Sequence, residues 1–267
     1  MKADIFPKDF DIVVGGGGPG GWSAAIAASR LGANVLLIER YGFLGGMDSL
    51  AFSYQFNIRD ACPGIFEKKP LVDGIFQELI RRLVTEKGMI APEDVWQKKI
   101  WKDIRYCVGV PVDPEILKIV LIEMVRDYNV NLLFHSWICD VTLMGDKIES
   151  LIIQTKGGRY KVKAKIFIDA TGDADISYYS HARTDQDPYP CGSSMNWVLG
   201  NVDLQKLKPA FSMETITQLM HKAISRKDLP EPKLSTSPWV KSVTFPVEDV
   251  TSGMPFSIGL SFSRFAR

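Results

Sequence analysis

The chain has 267 residues, a formal net charge of +1, 46% apolar residues and 24% charged residues. These are the proportions of an ordinary globular protein, long enough for one large or two small domains. A near-neutral balance, with no basic run and no basic stripe with interleaved aromatics, excludes the electrostatic footprint of a nucleic-acid or anionic-membrane binder.

The N-terminal stretch MKADIFPKDFD lacks the apolar core of a signal peptide, so no leader is expected. Phe10 to Val14 is a short apolar run with β-branched residues, the pattern of a strand buried on both faces. It enters a glycine-rich turn in which Gly16, Gly18 and Gly21 fall on the G-x-G-x-x-G spacing. Gly16 permits the tight turn out of the strand. Gly18 lets the backbone approach a pyrophosphate, and Gly21 lets the next helix pack closely on the sheet. That helix is predicted from about Gly20 to Leu31, with a small face of Ala24, Ala25, Ala27 and Ala28 and with Gly32 as its C-terminal stop. Its free N–H groups and positive dipole end point at the phosphates. Val35 to Ile38 reads as the second strand. Glu39 at its end lies 23 positions after Gly16, near the roughly 20-residue offset of an acid that accepts from ribose hydroxyls. Together, strand, turn, helix, strand and acid predict a dinucleotide-binding unit rather than a glycine-rich turn with no ligand.

Gly45-Gly46-Met47 either brings a loop close to a cofactor or makes an ordinary turn; Asp48, Ser49, Arg59 and Asp60 follow it as polar groups for a substrate side. Residues 48 to 70 show no clear period, and residues 88 to 112 read as irregular with at most a short helix. Asp73 to Leu83 is predicted helical from the stripe Ile75, Leu79, Ile80 and Leu83. A second helix opens at Asp113-Pro114-Glu115, with Asp113 as N-cap, Pro114 at the first helical position and Asn129 as the stop. Asn131 to His135 is a third buried strand. A meander follows, with strands Trp137 to Met144, Lys147 to Thr155 and Tyr160 to Ala164 joined at Gly145-Asp146 and Gly157-Gly158. A further strand, Lys165 to Ile168, ends in Asp169-Ala170-Thr171-Gly172-Asp173. A nicotinamide-binding domain crosses to its next parallel strand through a helix; here a meander makes the crossing. Beyond it, strands are expected at Met195 to Leu199 and Val240 to Val247, a helix at Met213 to Ser225, and a loop at Leu229 to Pro238.

Cys62, Cys107, Cys139 and Cys191 form no C-x-x-C pair, so no zinc or iron–sulfur site is predicted, and reduced thiols in a cytosolic protein are expected. No stretch approaches the roughly 20 continuous apolar residues of a membrane helix. Cys62 and Cys191 have no partner placed beside them for redox work. Among the histidines, His135 reads as structural and His221 as solvated. His181, just past the ATGD turn, is the candidate for moving a proton near neutral pH.

With the segments DIVVGGGGPGG (11–21), LLIERYGFLGGM (36–47), PVDPEILK (111–118) and KAKIFIDATGDADIS (163–177), the chain resembles FAD-dependent oxidoreductases of the two-dinucleotide-binding-domain type. Among them it is similar to flavoproteins like the heterodisulfide reductase A subunit. The likeness covers roughly residues 9 to 200. It implies an α/β fold: a Rossmann-like FAD-binding domain over residues 1–176, with parallel sheet, β-meander crossover and an insertion at about 48–110. A partial α+β substrate or cap domain would follow over 177–267. It implies FAD as cofactor and no metal. The turn Gly16, Gly17, Gly18, Pro19, Gly20 and Gly21 would cradle the pyrophosphate. Glu39 would accept from the ribose, and Arg40 would flank the adenine. Gly45, Gly46 and Met47 would line the path to the flavin, and Ile138 would meet adenine through its backbone, unless it is a simple core residue. Ala170, Thr171, Gly172 and Asp173 would return beside the dinucleotide fold, with Asp173 alternatively an N-cap or Asx-turn residue.

Two departures stand out. The second glycine-rich segment that contacts the flavin is not found before the end at SIGLSFSRFAR, so a truncated chain, or a further chain completing the flavin site, is expected. Trp22 puts a bulky ring just after Gly21, either folded against the helix or crowding the cofactor. The expected function is two-electron exchange between FAD and a small-molecule substrate or redox partner protein, in the cytoplasm, with no nucleic acid and no membrane span. The alternatives are a remnant that binds only the ADP half of FAD, and an NAD-dependent Rossmann dehydrogenase.

Overall fold

The structure is a computed structural model; it describes residues 3–50, 55–57, 72–89, 91, 109–184, 193–195, 218–219, 221–223, 225–228, 240–243 and 260–264. The chain divides into two units, Met1–Gln186 and Asp187–Arg267.

The first unit is built on a seven-stranded sheet. Its parallel part comprises β2 (Phe10–Gly15), β3 (Val35–Ile38) and β6 (Asn131–Leu133). Its antiparallel part comprises β7 (Trp137–Met144), β8 (Lys147–Thr155) and β9 (Gly158–Asp169). The order is β6-β3-β2-β9-β8-β7, with β1 (Asp4–Ile5) paired alongside β9. β9 links the two parts. Its first half pairs antiparallel with β8, and Ala164 to Asp169 pair parallel with β2. The two strands expected at 160–164 and 165–168 are therefore one. Its partner changes between Lys163 and Ala164, and the lysine–apolar alternation gives way to an apolar run just after, at Ile166.

Three helices cover one face: α1 (Pro19–Arg30), α3 (Ile75–Thr85) and α4 (Pro114–Asp127); the short α2 (Met47–Leu50) lies between them in sequence. Val14, Val35 and Leu37 face this layer and pack with Ile26, Leu83, Leu121 and Met124. The alternate residues Val13, Leu36 and Ile38 face the meander and pack with Ile138, Leu151, Ile153 and Val162. This double burial explains the unbroken apolar runs of β2 and β3, whereas the edge strand β6 is only half-buried.

The helix ends are set locally. Asp113 caps α4 by accepting from the Glu115 and Ile116 amides at 2.8 and 3.3 Å, as its Asp-Pro-Glu start predicts. Gly32, Lys87 and Asn129 adopt positive φ just beyond α1, α3 and α4. In each case the amide of that residue and the amide of the next reach back to helix carbonyls, which is a Schellman stop. The helix expected at 73–83 runs instead from Ile75 to Thr85, because Gly74 enters it at φ +71°. A short antiparallel pair, β4 (Gln55–Asn57) with β5 (Gly109–Pro111), joins segments that read as irregular.

In the second unit, β10 (Ser193–Met195), β11 (Val240–Val243) and β12 (Leu260–Arg264) form an antiparallel sheet with β12 in the centre. Residues 218–219, 221–223 and 225 are helical within the span expected to be. Cys62, Cys107, Cys191, Arg59 and Asp60 lie outside the described residues, as does most of the 48–110 segment. Among the described residues no helix is long and apolar enough to cross a membrane.

Candidate functional site

The site is built where β2 turns into α1. Gly16 takes φ +94°, and a Cβ there would lie 2.2 Å from the Ala170 carbonyl oxygen. At Gly21 a Cβ would lie 1.7 Å from the Gly16 carbonyl oxygen. These two glycines are therefore required by backbone-on-backbone packing. Gly18 and Gly20 are different: a Cβ at either meets nothing closer than 3.9 Å. They leave open the approach to the N-terminus of α1, where Gly18 is the N-cap, Pro19 starts the helix, no side chain caps it and the first turn carries no acid. Such an end carries positive potential and free N–H donors, which suits a phosphate group.

The second glycine pair packs on the first. The Gly45 amide donates to the Gly17 carbonyl at 2.9 Å. Gly46, at φ +57°, comes so near that a Cβ would lie 2.9 Å from the Gly18 Cα. Met47 beside it is 67% exposed. Ser49 is buried, and its hydroxyl donates to the Leu44 carbonyl at 2.8 Å. Trp22 is buried in the helix-side core with Ala25 and Ile26, so its ring folds inward.

Glu39 leaves the end of β3 at 6% exposure. Its carboxylate accepts from the Gly17 amide at 2.6 Å and from the Tyr41 amide at 2.8 Å. An ionised carboxylate has about four lone-pair sites, so acceptor capacity remains. An open cleft begins here. Gly16, Ile38, Glu39 and Arg40 contribute from the ends of β2 and β3; Ser136, Trp137 and Ile138 from the β6–β7 turn and β7; Thr171 and Asp175 from the segment after β9. The Arg40 guanidinium lies 5.0 Å from the Tyr41 ring and 5.4 Å from the Trp137 ring. It also pairs with Asp173 at 3.6 Å.

The ATGD segment is tied down by Asp169. Its Oδ1 accepts from the Thr171 amide at 3.2 Å and the Thr171 hydroxyl at 2.7 Å, and its Oδ2 from the Ser177 amide and hydroxyl, both at 2.8 Å. Burial works to raise the Asp169 pKa, but the four hydrogen bonds outweigh it and hold the carboxyl below the usual aspartate value. The Thr171 hydroxyl also accepts from the Asp175 amide at 2.8 Å, starting α5 (Asp175–Tyr179). The Ala170 amide donates to the Gly15 carbonyl at 2.8 Å, which seats this turn over the glycine turn. Asp175 has its pKa raised, first by burial and then by the charges of Asp173 and Asp169, with Arg40 opposing.

The structure thus brings Gly16 to Gly21, Glu39, Arg40, Gly45, Gly46, Ile138, Ala170 and Thr171 into one region. Gly172, at φ +83°, makes the bend that follows. Asp173 is not the N-cap of α5; Ala174 is, and Asp173 has a 71% exposed side chain paired with Arg40. His181 is exposed and lies outside the cleft lining. With φ +58° it forms the left-handed stop of α5, its amide donating to the Tyr178 carbonyl at 3.1 Å. His135 is likewise exposed at φ +52°, in the β6–β7 turn. Sequence reasoning passed over Asp169, Asp175, Ser136 and Trp137. The signal for the first two lies in the spacing D-x-T-x-x-x-D-x-S, a side-chain-to-backbone turn. Cys139 contacts the Ile152 carbonyl at 3.4 Å and the Arg159 guanidinium at 3.3 Å. Among the described residues no cluster of three or more His, Cys, Asp or Glu can hold a metal.

Comparison with known proteins bears on this geometry. The family model "FAD dependent oxidoreductase" matches residues 11–235. Soluble pyridine nucleotide transhydrogenase of Mycobacterium tuberculosis (strain ATCC 25177 / H37Ra) is 52% identical over 40 residues, 15% of this chain and 8% of the relative. Dihydrolipoyl dehydrogenase of Trypanosoma brucei brucei is 54% identical over 48 residues, 17% of this chain and 10% of the relative. These matches span a tenth or less of each relative's length. In fold, the chain is similar to a geranylgeranyl bacteriochlorophyll reductase-like protein of Thermoplasma acidophilum. That likeness has a TM-score of 0.54 and 16% identity, and covers 96% of this chain and 57% of the other. It is also similar to the OxyS anhydrotetracycline hydroxylase of Streptomyces rimosus, with a TM-score of 0.51, 14% identity, and 96% and 46% coverage. The meander in place of a crossover helix, together with the match over most of the chain, favours FAD over the nicotinamide alternative. The chain belongs to the FAD dependent oxidoreductase family, and its cofactor is FAD.

Proposed function

We propose that the chain holds FAD by its adenosine diphosphate half in the cleft beside the glycine turn and exchanges two electrons with a small substrate or a redox partner protein. One observation carries this reading: the Glu39 carboxylate is fixed beneath the phosphate turn by the Gly17 amide and borders the cleft with acceptor capacity to spare. Gly16 to Gly21, with Pro19 starting α1, offer N–H groups to the pyrophosphate. Glu39 accepts from the ribose hydroxyls, and Arg40 and the Ile138 backbone bound the adenine. Gly45, Gly46 and Met47 lie on the path toward the flavin, and Ala170, Thr171, Gly172 and Asp173 shape the cleft's other border. FAD, when bound, supplies the electron chemistry, and the protein supplies binding, orientation and electrostatics. We assign the heterodisulfide-reductase-A-like subtype, residues 1–176 as the FAD-binding domain, residues 177–267 as substrate or cap domain, His181 as a proton carrier, and the cytoplasm as the compartment to the same proposal.

Purified protein is expected to be yellow, to release FAD on denaturation, and to lose its visible bands on reduction with dithionite. A colourless protein that FAD cannot reconstitute would refute the proposal. A second reading, in which this chain retains only the ADP half, is supported by the cleft, whose lining residues are those assigned here to the adenosine end. It predicts that ADP raises the melting temperature while no reducible flavin signal appears. Turnover with an artificial electron acceptor rules it out.

A further inference from the structure

We infer that residues 172–174 form a strap across the mouth of the cleft, latched by the ion pair between Arg40 and Asp173, and that opening of this strap sets the rate at which FAD enters and leaves. This rests on the reading that the cleft holds the adenosine diphosphate half of FAD.

The segment after β9 is anchored at both ends and loose between them. On its near side the Ala170 amide donates to the Gly15 carbonyl, and Thr171 is held by the Asp169 carboxylate. On its far side the Ser177 amide and hydroxyl donate to the same carboxylate. The Asp175 amide donates to the Thr171 hydroxyl and closes the bend at its base. Among the described residues, the amides of Gly172, Asp173 and Ala174 donate to no protein acceptor. The bend can therefore move without dismantling either anchor. Gly172 and Ala174, on either side of Asp173, both sit in the left-handed region, at φ +83° and +58°. Glycine takes that conformation freely, and a Cβ at Gly172 would meet nothing within 4 Å. A left-handed alanine persists only where its surroundings hold it there. Changes of φ and ψ at a few such residues are what a hinge requires.

The bend is held down through the Asp173 carboxylate, whose one opposite-charge partner among the described residues is the Arg40 guanidinium, at 3.6 Å. Arg40 lines the cleft from the end of β3, whereas Thr171 and Asp175, on either side of the bend, line the opposite border. The pair therefore joins the two borders. With the Asp173 side chain 71% exposed, the link lies on the solvent side of the cleft. It is also weak, since an exposed, hydrated pair at this distance is easily broken. When it breaks, Arg40 keeps its contacts with the Tyr41 and Trp137 rings, so opening leaves the guanidinium supported. A fixed base, two hinge points and a weak clasp across the opening make a strap that yields to a ligand.

The test measures exchange rather than affinity. Flavin-free full-length protein is mixed with FAD by stopped flow, and holoprotein is mixed with excess ADP to block the vacated site, both followed by flavin fluorescence. Asp173→Asn and Asp173→Ala are expected to speed entry and release together by about two- to fivefold, the most that an exposed ion pair supplies, with the dissociation constant within about twofold of wild type. Loss of a negative charge by itself would speed entry of the anionic FAD and slow its release; only an unlatched strap speeds both. Wild-type rates in both variants would overturn the inference and leave the FAD-site reading standing. Faster release without faster entry, faster entry without faster release, or loss of FAD binding by either variant would overturn it equally, since affinity and not access would have changed. Wild type that takes up no FAD, or whose FAD is not displaced by ADP, would sink the FAD-site reading and the inference with it.

Discussion

Replacing Asp169 tests how the cleft's border is held. Asp169→Ala removes the acceptor of four hydrogen bonds, two from Thr171 and two from Ser177. A hydrogen bond to a charged group contributes about 1.5–3 kcal/mol, but the four are coupled and water can reach part of the site, so a total loss of about 2–4 kcal/mol is expected. At about 2–4 °C per kcal/mol for a chain of this size, the melting temperature falls by roughly 4–16 °C. Asp169→Asn keeps one carbonyl acceptor and should lose about half as much. The pH dependence is distinctive. The folded-state pKa of Asp169 lies below the usual value, so its stabilisation is present above the unfolded pKa, about 3.9. It is lost as pH falls through the folded value. Wild type and variant should therefore differ fully at pH 7, and the gap should begin to narrow only below about pH 4, as pH falls toward and through the lower folded value, read by circular dichroism melts of the holoprotein. A gap under about 0.5 kcal/mol at pH 7, or one that does not change with pH, would refute this account of the turn.

Three other changes separate the site's parts. Gly46→Ala meets the Gly18 Cα at 2.9 Å and must hold φ +57°; the left-handed conformation alone costs about 1–2 kcal/mol, and weaker FAD retention on dilution should accompany it. Trp22→Ala empties a fully packed position of the helix-side core and should lose about 3–5 kcal/mol in urea unfolding, whereas Trp22→Phe should keep FAD bound. Asp113→Ala uncaps α4 and should cost about 0.5–2 kcal/mol in the same assay without changing the flavin spectrum.

The parts of the fold legible in sequence are those whose signals are local. The glycine spacing, the acid after β3 and the Asp-Pro-Glu start of α4 each specify backbone geometry within a few residues. The meander strands β7 and β8 were likewise bounded by their own turns. What was not legible depends on distant partners. The pair Gly45-Gly46 gains its meaning from the Gly17 carbonyl and Gly18 Cα, which only folding brings near. The continuity of β9 was hidden because it trades β8 for β2 midway, and the change of environment looks like a strand break. The pairing of Gln55–Asn57 with Gly109–Pro111 joins segments more than fifty positions apart and leaves no period in either. His181 stood out in sequence for its chemistry, while its backbone closes α5; Asp175 went unread because its place on the cleft border shows only once the cleft exists.

The central claim is that FAD is held by its adenosine diphosphate end, on the glycine turn and Glu39. Competition against bound FAD tests it most directly, with flavin release followed by fluorescence as ADP or FMN is added to the purified holoprotein. The account predicts that ADP displaces FAD and that FMN, which lacks the adenosine half, does not. Displacement by FMN with no effect of ADP would contradict it.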